Sequence, residues 1–223
     1  MPAICLFAGM ARSYKGFSCI FSMITDCTAI ILAGGNSQRM GRDKAGLLLG
    51  EQTLLQRVTA TMSKVFPDVI VSVRQPRPEI DLPQVCDEQL DNGPLAGVAA
   101  GLGYIGTTWA FVVACDMPFM DAALVELLGK YRTGYQAVVP VVQGHRQTLA
   151  AFYARNCLDA IQAHLAGGGK NSLRAVLEKL QVRYVDEAEL LKADPGGRSF
   201  FDLDTPQDVA TALQHYSGRD LPR

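Results

Sequence analysis

The sequence predicts an α/β protein: a three-layer α/β/α sandwich built on a mostly parallel, Rossmann-like sheet. Two observations carry this reading. Short apolar runs rich in β-branched residues alternate with segments whose apolar residues recur at helical spacing. The runs are also apolar almost throughout rather than at every second position, as strands covered on both faces require.

The elements follow in order. Thr28-Ala29-Ile30-Ile31-Leu32 reads as a buried strand that empties into a glycine-rich loop, Gly34 to Gly41. Thr53-Leu54-Leu55-Gln56 is a capping-box pattern, after which Leu54, Leu55, Val58, Met62 and Val65 keep helical spacing. Val69 to Val73 is the next strand, the proline-rich 75–83 a loop, and Gln84-Val85-Cys86 a short strand-like segment. Gly93-Pro94 opens a helix of small residues, with proline at the first helical position. Ala110 to Ala114 is a strand ending at Cys115-Asp116, and Asp121 suits the cap of the helix that follows. Strands are expected at 137–141 and 149–153, and helices at 158–165 and 173–180. A last helix is expected after Thr205-Pro206-Gln207-Asp208, running to about Tyr216.

At 223 residues the chain has room for one substantial domain. We assign it to residues 23–217 as a single domain. Residues 1–22 read as an extension outside the fold, because Arg12 and Lys15 fall where a signal peptide would be apolar. A net charge of −1 gives no support to the basic footprint of a nucleic-acid binder. No apolar run approaches the roughly 20 residues that span a bilayer. The six cysteines lack CxxC or Cys/His spacing, which argues against zinc and disulfides and points to a reducing cytoplasm.

In a sheet of this kind ligands sit beyond the carboxyl ends of the strands, which brings the loop after Leu32 and the acid after Cys115 to one edge. The run Leu32-Ala33-Gly34-Gly35-Asn36-Ser37-Gln38-Arg39-Met40-Gly41-Arg42-Asp43-Lys44 suits a phosphate cradle, since glycines expose backbone N–H groups and Arg39 and Lys44 add charge. It fits neither the P-loop nor the Gly-x-Gly-x-x-Gly spacing, so neither a Walker NTPase nor a nicotinamide dehydrogenase is favoured. Lys44 can neutralise charge that builds on phosphate oxygens. Arg39 has two readings, a phosphate clamp or a partner for a carboxylate that shapes the loop. Asp116, at the end of a buried strand, needs a partner, and Mg²⁺ accepts one or two carboxylates while keeping phosphates and water in its other positions. Cys115 has no neighbouring histidine to activate it and reads as a small buried residue.

The glycine-rich run resembles the signature of nucleotidyltransferases with a nucleotide-diphospho-sugar-transferase-like fold, and more closely that of the molybdenum cofactor guanylyltransferase family. The resemblance continues through Asp87 with Gly93-Pro94-Leu95-Ala96-Gly97, Cys115-Asp116-Met117-Pro118, Gln147 to Tyr153, Ser172-Leu173-Arg174-Ala175 and Phe201-Asp202-Leu203-Asp204-Thr205-Pro206. It implies transfer of GMP from GTP to molybdopterin, with Lys44 and Asp116 catalytic and Asp116 holding Mg²⁺. It assigns the nucleotide to Leu32, Ala33, Gly34, Gly35, Arg39, Lys44, Asp87, Gly93 and Asp116, with Asp87 on the guanine, whose N1–H and N2–H a carboxylate can accept. The Gly93–Gly97 segment has a second reading as a helix-packing surface. Gly34 replaces an alanine typical of the related cytidylyltransferases; the resemblance then implies a pocket widened for a purine. The second half of the domain falls to the pterin substrate, with Gln147, Asp202 and Asp204; the two acids stand where the family usually shows Asn-x-Asn, and could bind Mg²⁺, hydrogen-bond the pterin ring or repel its phosphate. His145 and Arg146 read as contacts to an anion or as a solvated loop, and Gly167 to Lys170 as a helix–helix turn. Other cofactor-biosynthesis proteins and acceptor molybdoenzymes are the implied partners, with no membrane or nucleic acid. The competing functions are a CTP-dependent transferase, a transferase acting on sugar or alcohol phosphates, and a nucleotide-binding regulator or carrier without catalysis.

Overall fold

The computed structural model describes residues 23–34, 44–86, 93–167 and 172–215. Ten strands alternate with seven α-helices among them. The first half runs β1 (Cys27–Leu32), β2 (Leu48–Leu49), β3 (Gln52–Thr53), α1 (Leu54–Val65), β4 (Asp68–Val73), β5 (Gln84–Cys86), α2 (Gly93–Tyr104) and β6 (Trp109–Ala114). The second half runs α3 (Ala122–Gly129), β7 (Ala137–Val142), β8 (His145–Arg146), β9 (Ala150–Ala154), α4 (Cys157–Ala166), α5 (Leu173–Leu177), β10 (Val182–Val185), α6 (Glu187–Leu190) and α7 (Pro206–His215).

The main sheet has the order β10-β7-β9-β6-β1-β4-β5, with β8 paired to β7. β1 lies parallel between β4 and β6, and Leu32 is in register with Ala114. β9 runs antiparallel to both β6 and β7, and β8 antiparallel to β7. Alternate residues of each strand feed opposite faces. Ile31, Val71, Phe111 and Val113 pack under α1 and α3, while Ile30, Ile70, Ala110 and Val112 pack under α2, α4 and α5. Phe111 and Phe152 lie 4.8 Å apart and both meet Phe66. The three layers expected from the sequence are present.

The chain visits β4 and β5 on one side of β1 and then returns to β6 on the other. The crevice of such a sheet opens where the strand order reverses, here at the carboxyl ends of β1 and β6. Cys115 N donates to Leu32 O at 3.1 Å, which fixes the two strand ends against each other.

Local signals held where they were strongest. Thr53 Oγ1 accepts from Gln56 N and the Gln56 side chain accepts from Thr53 N, completing the capping box of α1. Asp121 accepts from Ala123 N at 2.7 Å. Gly93 has φ of 59°, so Pro94 is the first residue of α2 whose backbone can be right-handed. The helix expected over 173–180 is shorter: α5 stops at Leu177, and Lys179 N and Leu180 N bond back three residues in a tighter turn. That turn lets the chain lay down β10 beside β7, a strand not foreseen because Val182-Arg183-Tyr184-Val185 is too brief to show a period.

Candidate active site

Lys44 is set by the turn that leads into α1. Its carbonyl accepts from Leu47 N at 3.0 Å, and Leu54 N donates to Leu47 O at 2.9 Å. Arg57, buried on α1, donates through Nε and Nη2 to Leu49 O and holds the β2–β3 hairpin down. The hairpin thus carries Lys44 back over the end of the sheet.

The Lys44 ammonium donates to Asp116 Oδ2 at 2.7 Å and to Asp204 Oδ1. Asp116 follows β6 directly; Asp204 arrives from the segment before α7. Lys44 and Asp116 are largely enclosed, with side chains 17% and 19% exposed, whereas Asp204 is 51% exposed. Burial works against the charged ammonium, but the hydrogen bonds and charges of Asp116 and Asp204 outweigh it and hold the Lys44 pKa above the ordinary lysine value. Partial desolvation, and then the Asp116 and Asp204 carboxylates, push the Asp202 carboxyl up to about 6, although much of this residue still reaches solvent. Among the described residues the site thus sets one lysine ammonium beside the carboxyl groups of Asp116, Asp202 and Asp204.

Two carboxylates already converge on a positive group here, so Asp116 and Asp204 suit a hard divalent cation. Among the described residues no group of three or more histidine, cysteine, aspartate or glutamate side chains forms a closed metal cage. Mg²⁺ needs no such cage: it takes one or two carboxylates and completes its shell with phosphates and water.

Leu32, Ala33 and Gly34 close β1 at the same edge, with Ala33 N bonded to Ser72 O at 2.9 Å. A Cβ built on Gly34 would stand 3.2 Å from Arg74 Cγ and 3.4 Å from Arg74 N. The room left by the missing side chain is thus taken up by Arg74, and any effect of Gly34 on a bound base passes through that residue. Arg74 follows β4 directly, so this contact lies at the same sheet edge. The sequence signal for it was slight: a lone arginine just past a strand.

Gly93 begins α2. The segment it opens packs closely: a Cβ on Gly97 would lie 2.8 Å from Ser72 Oγ and 3.3 Å from Leu32 Cδ2. The packing reading of this stretch therefore has a direct cause. Gln147 lies outside the Lys44 cluster; its N–H donates to Pro140 O at 2.8 Å, just before β9. Arg146 is drawn away from any anion by Glu178 and by the Tyr184 ring, 4.8 Å from its guanidinium carbon. Gly35, Arg39 and Asp87 lie outside the described residues, as does the extension 1–22.

Comparison with known proteins identifies the family. Residues 29–187 match the model of the MobA-like NTP transferase domain. The molybdenum cofactor guanylyltransferase of Desulfosudis oleivorans is 34% identical over 189 residues, covering 83% of this chain and 93% of its own. A probable molybdenum cofactor guanylyltransferase of Pelotomaculum thermopropionicum is 35% identical over 187 residues, covering 83% and 91%. Among solved structures, the molybdopterin-guanine dinucleotide biosynthesis protein A of Archaeoglobus fulgidus superposes with a TM-score of 0.76 at 26% identity, covering 85% of this chain and 98% of that one. The family model over most of the chain, and relatives above 30% identity over most of its length, show that this chain belongs to the MobA-like NTP transferase family.

Proposed function

We propose that this protein is a guanylyltransferase that moves GMP from GTP to molybdopterin and releases pyrophosphate. The observation that carries the reading is the Lys44–Asp116–Asp204 cluster at the crevice of the sheet, in a chain whose relatives are named for this reaction. The terminal phosphate of molybdopterin attacks the α-phosphorus of GTP; a new P–O bond forms as the bond to the β-phosphate oxygen breaks. A phosphate monoester is already anionic near neutral pH, so no general base is required.

The chain's own residues position and neutralise. Lys44, held charged by its two acids, meets the charge that develops on the phosphates. The strand ends at Leu32, Ala33 and Gly34, with Gly93 across the sheet, set the depth to which the nucleotide enters. Gly35, Arg39 and Asp87 complete the proposed nucleotide site, Asp87 reading the base. Gln147 and Asp202 are assigned to the pterin side. Asp116 and Asp204 would hold Mg²⁺, which supplies charge neutralisation at the triphosphate when bound. Among the described residues Cys27, Cys86, Cys115 and Cys157 form no disulfide, and no helix is long and apolar enough to cross a membrane; we place the reaction in the cytoplasm.

Removing one charge-stabilising group of this kind typically costs about 10²- to 10³-fold in turnover. We expect Lys44→Ala and Asp116→Ala to lose GMP transfer by that order while melting as cooperatively as the wild type. Transfer at the wild-type rate by either variant overturns these roles.

A further inference from the structure

The segment Phe201 to Asp208 joins the site to α7, and its contacts divide cleanly. Leu203 is fully buried, in a small cluster with Leu49, Leu54 and Ala212, and its N–H donates to Asp116 O at 3.0 Å. Asp202 and Asp204 on either side are exposed, as alternation along an extended segment requires. One hydrophobic peg therefore turns both acids toward Lys44. What holds the register of that turn is Asp208. Its Oδ2 accepts from Asp204 N at 3.1 Å, from Thr205 N at 2.7 Å and from Thr205 Oγ1 at 2.8 Å. Asp208 N returns a bond to Thr205 Oγ1 at 3.2 Å.

We propose that Asp208 is a positioning residue for the transfer reaction: its carboxylate clamps the backbone of Asp204 and Thr205 and so fixes where the Asp204 carboxylate meets Lys44. The inference rests on the reading of Asp204 as part of the transferase site. Asp208 touches no reacting atom; it acts through Asp204.

Two measurements test the clamp. The first needs no substrate: hydrogen exchange of the Asp204 and Thr205 amides, which we expect to quicken at least about 10-fold in Asp208→Ala, because the protecting acceptor is gone. The second is a double-mutant cycle in the GMP-transfer assay. We expect Asp208→Ala alone to lower kcat between about 10- and 100-fold with little change in the KM for GTP, since misplacement of a neighbour acts on turnover. In an Asp204→Ala background the same change should move kcat by less than about 2-fold, since the group it positions is absent. Asp208→Asn, which keeps one acceptor oxygen, should recover most of the lost turnover. If Asp208→Ala fails to fold, Asp208→Leu, which keeps the side-chain bulk but offers no acceptor, replaces it in both measurements. Equal losses in both backgrounds overturn the proposal, as do amides that exchange as fast in the wild type as in the variant. If the wild type transfers no GMP, it is the proposed function that fails, and the exchange measurement still decides the clamp.

Discussion

At the scale of single residues, the site is governed by an imbalance of charge. Among the described residues Lys44 faces Asp116, Asp202 and Asp204, and Asp202, which has no direct bond to it, is pushed up by burial and then by the Asp116 and Asp204 carboxylates. The sign of the resulting pH dependence follows. Asp202 ionises near 6 in the folded protein and near the ordinary 3.8 when unfolded, so the folded state keeps the proton longer. Ionisation then works against folding, beginning above the unfolded value and reaching its full extent above about 6. We expect metal-free Asp202→Asn to melt higher than the wild type at pH 7, and the difference to vanish as pH falls to 3.8 or below. Melting curves at several pH values in chelator check this; a gap that persists at low pH contradicts it. Lys44 and Asp116 were legible in the sequence because each follows a strong local feature, a glycine-rich loop and a buried strand. The bond between Lys44 and Asp204, 160 residues apart, was not, since no local pattern reports a contact of that range.

At the scale of elements, α2 shows how close packing and function share residues. Its glycines permit the helix to lie directly on the strands that carry the site. A Cβ on Gly101 would stand 2.7 Å from Ile30 Cδ1 and 2.8 Å from Ile30 Cγ2, and Ile30 is fully buried with no room to withdraw. Alanine gains about 1 kcal/mol over glycine in helix propensity. Overpacking a filled core costs about 1–3 kcal/mol, so the clash should win. We expect Gly101→Ala to lower Tm, measured by thermal unfolding; an unchanged or raised Tm would show that α2 is free to lift. Helices with capping signals and long periodic faces, such as α1, were readable in advance. The β2–β3 hairpin, β8 and β10 were not, because strands of two to four residues carry too few side chains to reveal which face is buried. Their existence is set by neighbours: Arg57 pins the hairpin, and β7 supplies an edge for both β8 and β10.

At the scale of the whole molecule, the topology explains why one region does the chemistry. Reversal of strand order around β1 opens a crevice, and the ends of β1 and β6 bring Leu32, Gly34 and Asp116 to it. The C-terminal segment then closes over that edge through Leu203 and adds Asp204. The fold class was legible because the apolar strands and helical faces are individually strong and alternate regularly. The base preference was less so: Gly34 is packed against Arg74, so the sequence difference there reports a contact before it reports a pocket. Nucleotide choice is therefore the claim most in need of direct measurement. That measurement is transfer to molybdopterin from a panel of α-labelled nucleoside triphosphates, with and without Mg²⁺. We expect label from GTP to reach the pterin only when Mg²⁺ is present and label from CTP to remain behind. Transfer from CTP but not GTP would contradict the account.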